Sequence, residues 1–241
     1  MEVHHHPDVE KKGFKEYILE GLMIFLAVTM GFFAESIREN ITNREHAEQL
    51  TTQLVTELKS DTVQLRQIDS AESKIQTRVD TLVVLLQQPM AKADMINIQR
   101  LVNRSYSLWP FHPNTAAINA IKNDIRIKQL SNSKIGYYIG GYEGRIAIEH
   151  KLEDMQGALM DRVIQKFLSE HFTQVNLHAM IDGKPIVNAQ MRNLTQNDLD
   201  QLAVNMELIR GFNRNVMQYV RMTKKDATEL IKYVKKQYDL E

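Results

Sequence analysis

From Tyr17 to Ala34 the chain reads YILEGLMIFLAVTMGFFA, a run whose only charged residue is Glu20. As a helix it spans roughly 27 Å at about 1.5 Å per residue, close to the thickness of a bilayer's hydrocarbon core, and this predicts a membrane anchor over 14–35. Beyond it, apolar residues recur at alternating three- and four-residue steps, the pattern of a helical seam. Leu54, Leu58, Leu65, Ile68, Ile75, Val79, Leu82 and Leu86 form the seam, with Asp61 and Glu72 at its two non-apolar positions. No Pro or Gly occurs between Glu35 and Gln88. The anchor is therefore expected to continue into a stalk helix of roughly 80 Å, ended at Pro89.

A shorter helix is expected over 91–108, with Met95, Ile98, Leu101 and Val102 on one side, up to the proline corner Trp109-Pro110-Phe111-His112-Pro113. Asn114 or Thr115 then caps a helix bearing Ala117, Ile118, Ile121 and Ile125. Ser131 or Asn132 opens a long helix to about His171, carrying Ile135, Tyr138, Ile139, Tyr142, Ile146, Leu152, Leu159, Val163 and Phe167. Between Phe172 and Leu194 (172–194) the pattern is irregular, and VNLHAMIDGKPIVN predicts either a small hairpin turning at Asp182-Gly183 or a plain loop. Thr195 and Asp198 have capping-motif spacing. A second seam follows through Leu199, Leu202, Met206, Ile209, Val216, Val220, Ala227, Leu230 and Val234, interrupted at Asn213 and Thr223.

These patterns predict an all-α fold: an N-terminal transmembrane helix continuing into a long stalk helix, with an extramembrane antiparallel helical bundle or coiled coil. The expected domains are a flexible cytoplasmic tail (1–13), the anchor (14–35) and a helical bundle domain (36–241). Periodicity leaves open whether the two seams pair within one chain or between chains.

Composition agrees with helices, since Gly and Pro number only 10 and 5. Thirty basic residues balance 30 acidic ones, so bulk charge points to no nucleic-acid partner. The absence of cysteine excludes disulfides, iron–sulfur clusters and a cysteine nucleophile. Lys11, Lys12 and Lys15 precede the anchor and Arg38 and Arg44 follow it, which favours a cytoplasmic N-terminus and a large domain on the periplasmic side. Phe32, three residues before a cut after Ala34, is too bulky for a cleavage site, and an uncleaved signal anchor is expected.

Candidate chemistry is sparse. In the anchor, Tyr17, Glu20, Phe32 and Phe33 are the marked residues, and Ala27 and Gly31 have small-xxx-small spacing for close helix approach. Glu20 is a carboxyl near membrane depth, which an interfacial position beside Tyr17 accommodates. Gly136, Gly140, Gly141 and Gly144, interleaved with Tyr138 and Tyr142, suggest a helix contact or a ligand face. The corner holding Trp109 fits either the floor of a ligand pocket or, more simply, an aromatic plug at the end of a bundle. Asp61 and Glu72 have a structural reading, satisfied by helix ends, water or cations.

His4, His5 and His6 with Asp8 and Glu10 are metal-ligand types in a polar tail. Glu149, His150, Glu153 and Asp154 share adjacent helical turns, but the paired Glu-x-x-His of a di-metal bundle is missing, and a solvated face explains them, as it does Glu170-His171. No HExxH, Gly-x-Ser-x-Gly, Rossmann or Walker pattern occurs. No catalytic residue, metal site or cofactor is expected.

The stretches EGLMIFLAVTMGFFAESIRENITNRE (20–45), the MEVHHH start, LVTELKSDT (54–62) and NTAAINAIKNDIRIKQLSNSKIGYYI (114–139) resemble an uncharacterised bacterial family of small single-pass membrane proteins. The resemblance covers roughly a third of the chain. It implies an inner-membrane protein with a helical extramembrane part of unknown function, and it transfers no site residues. The expected function is non-enzymatic: a scaffold or interaction module of the cell envelope, with the lipid bilayer and either itself or another envelope protein as partners. The alternative is a sensory or small-ligand-binding bundle that signals through a partner.

Overall fold

The computed structural model describes residues 13–124 and 134–238. All the regular structure among them is helical. The chain divides into two compact units, Met1–Gln49 and Leu50–Glu241. The expected tail lies outside the described residues apart from Gly13, as do the metal-ligand types in it and the helix starts expected at Ser131 or Asn132.

Helix α1 is continuous from Phe14 to Leu86, 73 residues without a break, because nothing in that stretch after Gly31 removes an amide donor or loosens the backbone. It belongs to the first unit up to Gln49 and to the second from Leu50. Along the apolar run its side chains face outward: Leu22, Met23, Phe25, Val28, Phe32 and Phe33 are all exposed.

In the second unit every apolar seam residue of α1 from Leu54 to Leu86 is buried. A 3-10 turn at Met90–Lys92 separates α1 from α2, Met95–Ser105, so the expected 91–108 helix is shorter and starts where Asp94 accepts from the Asn97 amide at 3.0 Å. An extended segment holding the proline corner leads to α3, Ala116–Asn123. Helix α4, Lys134–Met160, passes through a π-helical turn at Asp161–Gln165 into α5, Lys166–His171. Val163 and Ile164 are both buried there, as one extra residue in the turn allows.

The hairpin expected within 172–194 does not form. Its first half is α6, Gln174–Ile181, with Thr173 accepting from the Asn176 amide. Gly183 adopts φ +67, and the Gly183 and Lys184 amides donate to the Met180 and Ala179 carbonyls, closing a helix C-terminus instead of a hairpin. Either structure needs a left-handed residue at this point, and the Thr173 cap decides for the helix. The extended chain after it is tied down by Asn176, whose amide donates to Gln99 and to the Asn188 and Gln190 carbonyls. Helix α7, Gln196–Gln237, opens with the Thr195–Asp198 capping box and buries its whole apolar seam.

Side-chain pairs give the directions. Asp69 and Asp80 of α1 pair with Arg221 and Arg210 of α7, so these two helices are antiparallel. Asp61 and Glu72 of α1 meet Tyr142 and Gln156 of α4, so those two run parallel. Between them the chain from α2 through α3 returns alongside α1, its backbone amides at His112, Asn114 and Ala117 donating to Gln64, Asp61 and Glu57 in descending order. The second unit is an up-down-up-down bundle whose second member is broken at the proline corner.

Candidate functional site

The expected anchor residues lie on the outside of α1. Tyr17, Glu20, Ala27, Gly31, Phe32 and Phe33 are all exposed on α1, and a side chain at Gly31 would meet nothing within 4 Å. The helix is long and apolar enough there to cross a membrane.

No close helix contact forms over the glycine face among the described residues, and its open side leaves the ligand-face alternative as it stood. Gly136, Gly140, Gly141 and Gly144 are exposed, and a Cβ on any of them would meet nothing within 4 Å among the described residues. The tyrosines turn elsewhere. Tyr138 stacks on Tyr233 with centroids 4.8 Å apart, and Tyr142 is wholly buried, its hydroxyl donating to Asp61 Oδ2 at 2.8 Å.

Tyr142 belongs to polar layers that run through the middle of the bundle. Asp61 accepts from Tyr142, from the Asn114 amide at 3.0 Å and from the Asn114 side chain at 2.8 Å. It thus serves the chain entering α3, where Thr115 makes no side-chain cap bond. Burial pushes its carboxyl above the ordinary range, against the Asn114 and Tyr142 bonds, and burial beside Asp61 raises the Tyr142 hydroxyl too. In the next layer Glu149, 1% exposed, sits opposite Thr223. Neither of its oxygens has a hydrogen-bond partner among the described residues. Burial takes it up to about 7, and the Thr223 hydroxyl donates to the Tyr219 carbonyl at 2.9 Å rather than to Glu149. In the third layer the Gln156 amide donates to Glu72 Oε2 at 3.2 Å and Asn213 Oδ1 at 3.1 Å, and burial lifts Glu72 to about 7 as well.

The solvated-face reading therefore fails for Glu149, and for His171, which is buried and bonds the Arg192 carbonyl through Nδ1. It also fails for Glu153, half-buried and accepting from the Phe111 amide at 2.8 Å. One signal would have found Glu149 and Gln156. Extending the steps Ile135, Ile139, Tyr142 and Ile146 places both on the same seam. No cluster of three or more metal-ligating side chains occurs among the described residues.

The proline corner divides its aromatics. Phe111 is the plug, 1% exposed, with its carbonyl 3.0 Å from His150 Nε2. Trp109 is half exposed and lines an open groove of about 710 Å³ against α1. Gly157 admits the neighbouring Leu108, whose Cδ1 would lie 3.3 Å from any Cβ there.

Comparison of the chain with known protein families, with curated proteins and with solved structures finds no match.

Proposed function

We propose that this chain is a single-pass membrane protein whose helical bundle serves as a non-enzymatic scaffold or interaction module in the bacterial cell envelope, assembled with itself or with another envelope protein. The observation that carries the reading is α1 itself. One unbroken helix exposes an apolar surface from Tyr17 to Phe33 interrupted only by Glu20, which a bilayer would cover, and the same helix supplies a core seam to the bundle. The buried acids support a structural role, because Asp61, Glu72 and Glu153 are each engaged in fixing a neighbouring segment. The resemblance favours the inner membrane, and the basic residues around the anchor favour an N-terminus in the cytoplasm and a bundle in the periplasm.

Membranes washed with alkaline carbonate are expected to retain the chain, and release into the wash sinks the anchor. The chain has no cysteine, so Lys225→Cys gives one thiol on the bundle, and labelling by an impermeant maleimide in intact spheroplasts is the outcome that fits a periplasmic bundle. Cross-linking in membranes followed by light scattering in detergent should give a defined oligomer or a fixed partner; a lone monomer overturns the scaffold reading. The second reading, a ligand-binding bundle, has the groove beside Trp109 in its favour.

A further inference from the structure

Most cations that cross between helices of the bundle are neutralised. Arg145 pairs with Asp226, Arg210 with Asp80, Arg221 with Asp69 and Lys122 with Glu143. The groove at the proline corner is the exception. Arg66, Lys74 and Arg78 line it, no carboxylate does, and neither Arg66 nor Lys74 has an ion-pair partner among the described residues.

These cations stand on one stripe of α1, because Arg66, Ser70, Lys74 and Arg78 follow at four-residue steps. Arg66 and Lys74 are about 12 Å apart along the axis and Lys74 and Arg78 about 6 Å. Arg78 is held in place by donating to the Arg104 carbonyl at 2.9 Å. The opposite wall is Trp109, half exposed and set directly before Pro110, which restricts its backbone. Gln67, Ser70 and Ser107 add neutral donors and acceptors between the charges.

A row of separated cations suits a ligand carrying repeated anions, whereas a compact dianion would meet only one or two of them. An exposed indole suits a ring with an apolar face. Neutral hydroxyl and amide groups between them suit a ligand that also carries hydroxyls. The chain's 30 basic and 30 acidic residues balance, so it carries no net positive charge that would favour a nucleic acid. We propose that this groove is a binding site for a short acidic oligosaccharide, with its carboxylates or phosphates on Arg66, Lys74 and Arg78 and a sugar ring against Trp109. The proposal stands on the second unit and does not depend on the scaffold reading.

Trp109 is the chain's only tryptophan, so its emission reports the groove directly. The full chain in a non-ionic detergent is titrated with tetragalacturonate, with an uncharged galactose tetrasaccharide, with tetraglutamate and with a short thymidine oligonucleotide. Tetragalacturonate should shift the emission saturably and bind about tenfold or more tightly than the other three. Arg66→Glu and Lys74→Glu should each weaken it by about tenfold or more, while Lys225→Glu, the same charge change at a distant exposed residue, stays within about twofold. Trp109→Ala, read by calorimetry, should remove the preference over tetraglutamate. Circular dichroism melts confirm that each variant is folded. No saturable response to tetragalacturonate overturns the proposal, as does equal binding of tetraglutamate, tighter binding of the oligonucleotide, or an equal effect of Lys225→Glu. None of these outcomes bears on carbonate resistance or oligomer mass, so this site and the scaffold reading fail separately.

Discussion

Glu149 shows what one misplaced charge does to a helical core. A carboxyl without a bonded partner inside a bundle is held neutral by the cost of burying its charge. Glu149 and Glu72 both titrate near 7 in the folded chain and near 4.5 when exposed. Between those values the folded state holds more protons than the unfolded one, so unfolding free energy falls as pH rises. Their stabilisation is fully present below about pH 4.5 and is lost by about pH 7, on the order of 3 kcal/mol per group. Burial raises Asp61 and Glu153 in the same direction, whereas Asp198, depressed by its Thr195 bonds, works the opposite way and loses its contribution as pH falls. Urea titrations at pH 5 and pH 8 are expected to show the bundle more stable at pH 5. Glu149→Leu should raise stability at pH 8 by about 2 kcal/mol and shrink the difference between the two pH values; an unchanged pH dependence counts against Glu149 as its source. Asp61 differs because it has partners. Asp61→Ala strands the Asn114 amide and the Tyr142 hydroxyl, and a loss of about 2–4 kcal/mol is expected in the same assay.

Among the elements, α4 is the least optimised. Four glycines sit in its first half, a Cβ on any of them would meet open space, and none needs a positive φ. Each costs helix stability with no packing return. Gly140→Ala and Gly144→Ala should therefore each stabilise the chain by about 0.5–1 kcal/mol, and a loss of stability would show that these glycines serve a contact with a partner. The start of α7 is the opposite case. Thr195 accepts from the Asp198 amide while Asp198 accepts from the Thr195 amide at 2.8 Å, and Thr195→Ala should lower stability by about 1 kcal/mol in a thermal melt.

At the scale of the whole molecule, Leu50–Glu241 contains its own core, from Leu54 through Val234. A chain starting at Leu50 should therefore remain in solution without detergent and show a cooperative helical melt, while the full chain stays with the membrane. Aggregation of that shortened chain would show that the first unit is needed for the bundle to fold.

What the sequence determined by itself was everything that depends on local period: the apolar run, the two seams, the Thr195 cap and the all-α class. Those features repeat within one helix and need no knowledge of neighbours. The long helix ending near His171 was legible for the same reason, although its start lies outside the described residues. The tertiary structure decided what depends on which segments meet. Asp182-Gly183 has one left-handed residue that serves a hairpin or a helix end equally; the Thr173 cap opens α6, and the bonds from Asn176 to Gln99 and to the Asn188 and Gln190 carbonyls hold the following chain extended beside it. Asp61 became an acceptor for the chain entering α3 because the return segment passes it 53 residues later. Trp109 came to share a groove with Arg66 and Lys74, and the four glycines were left in open space. Each of these outcomes is set by residues far apart in the chain, and a one-dimensional pattern carries no distance between them.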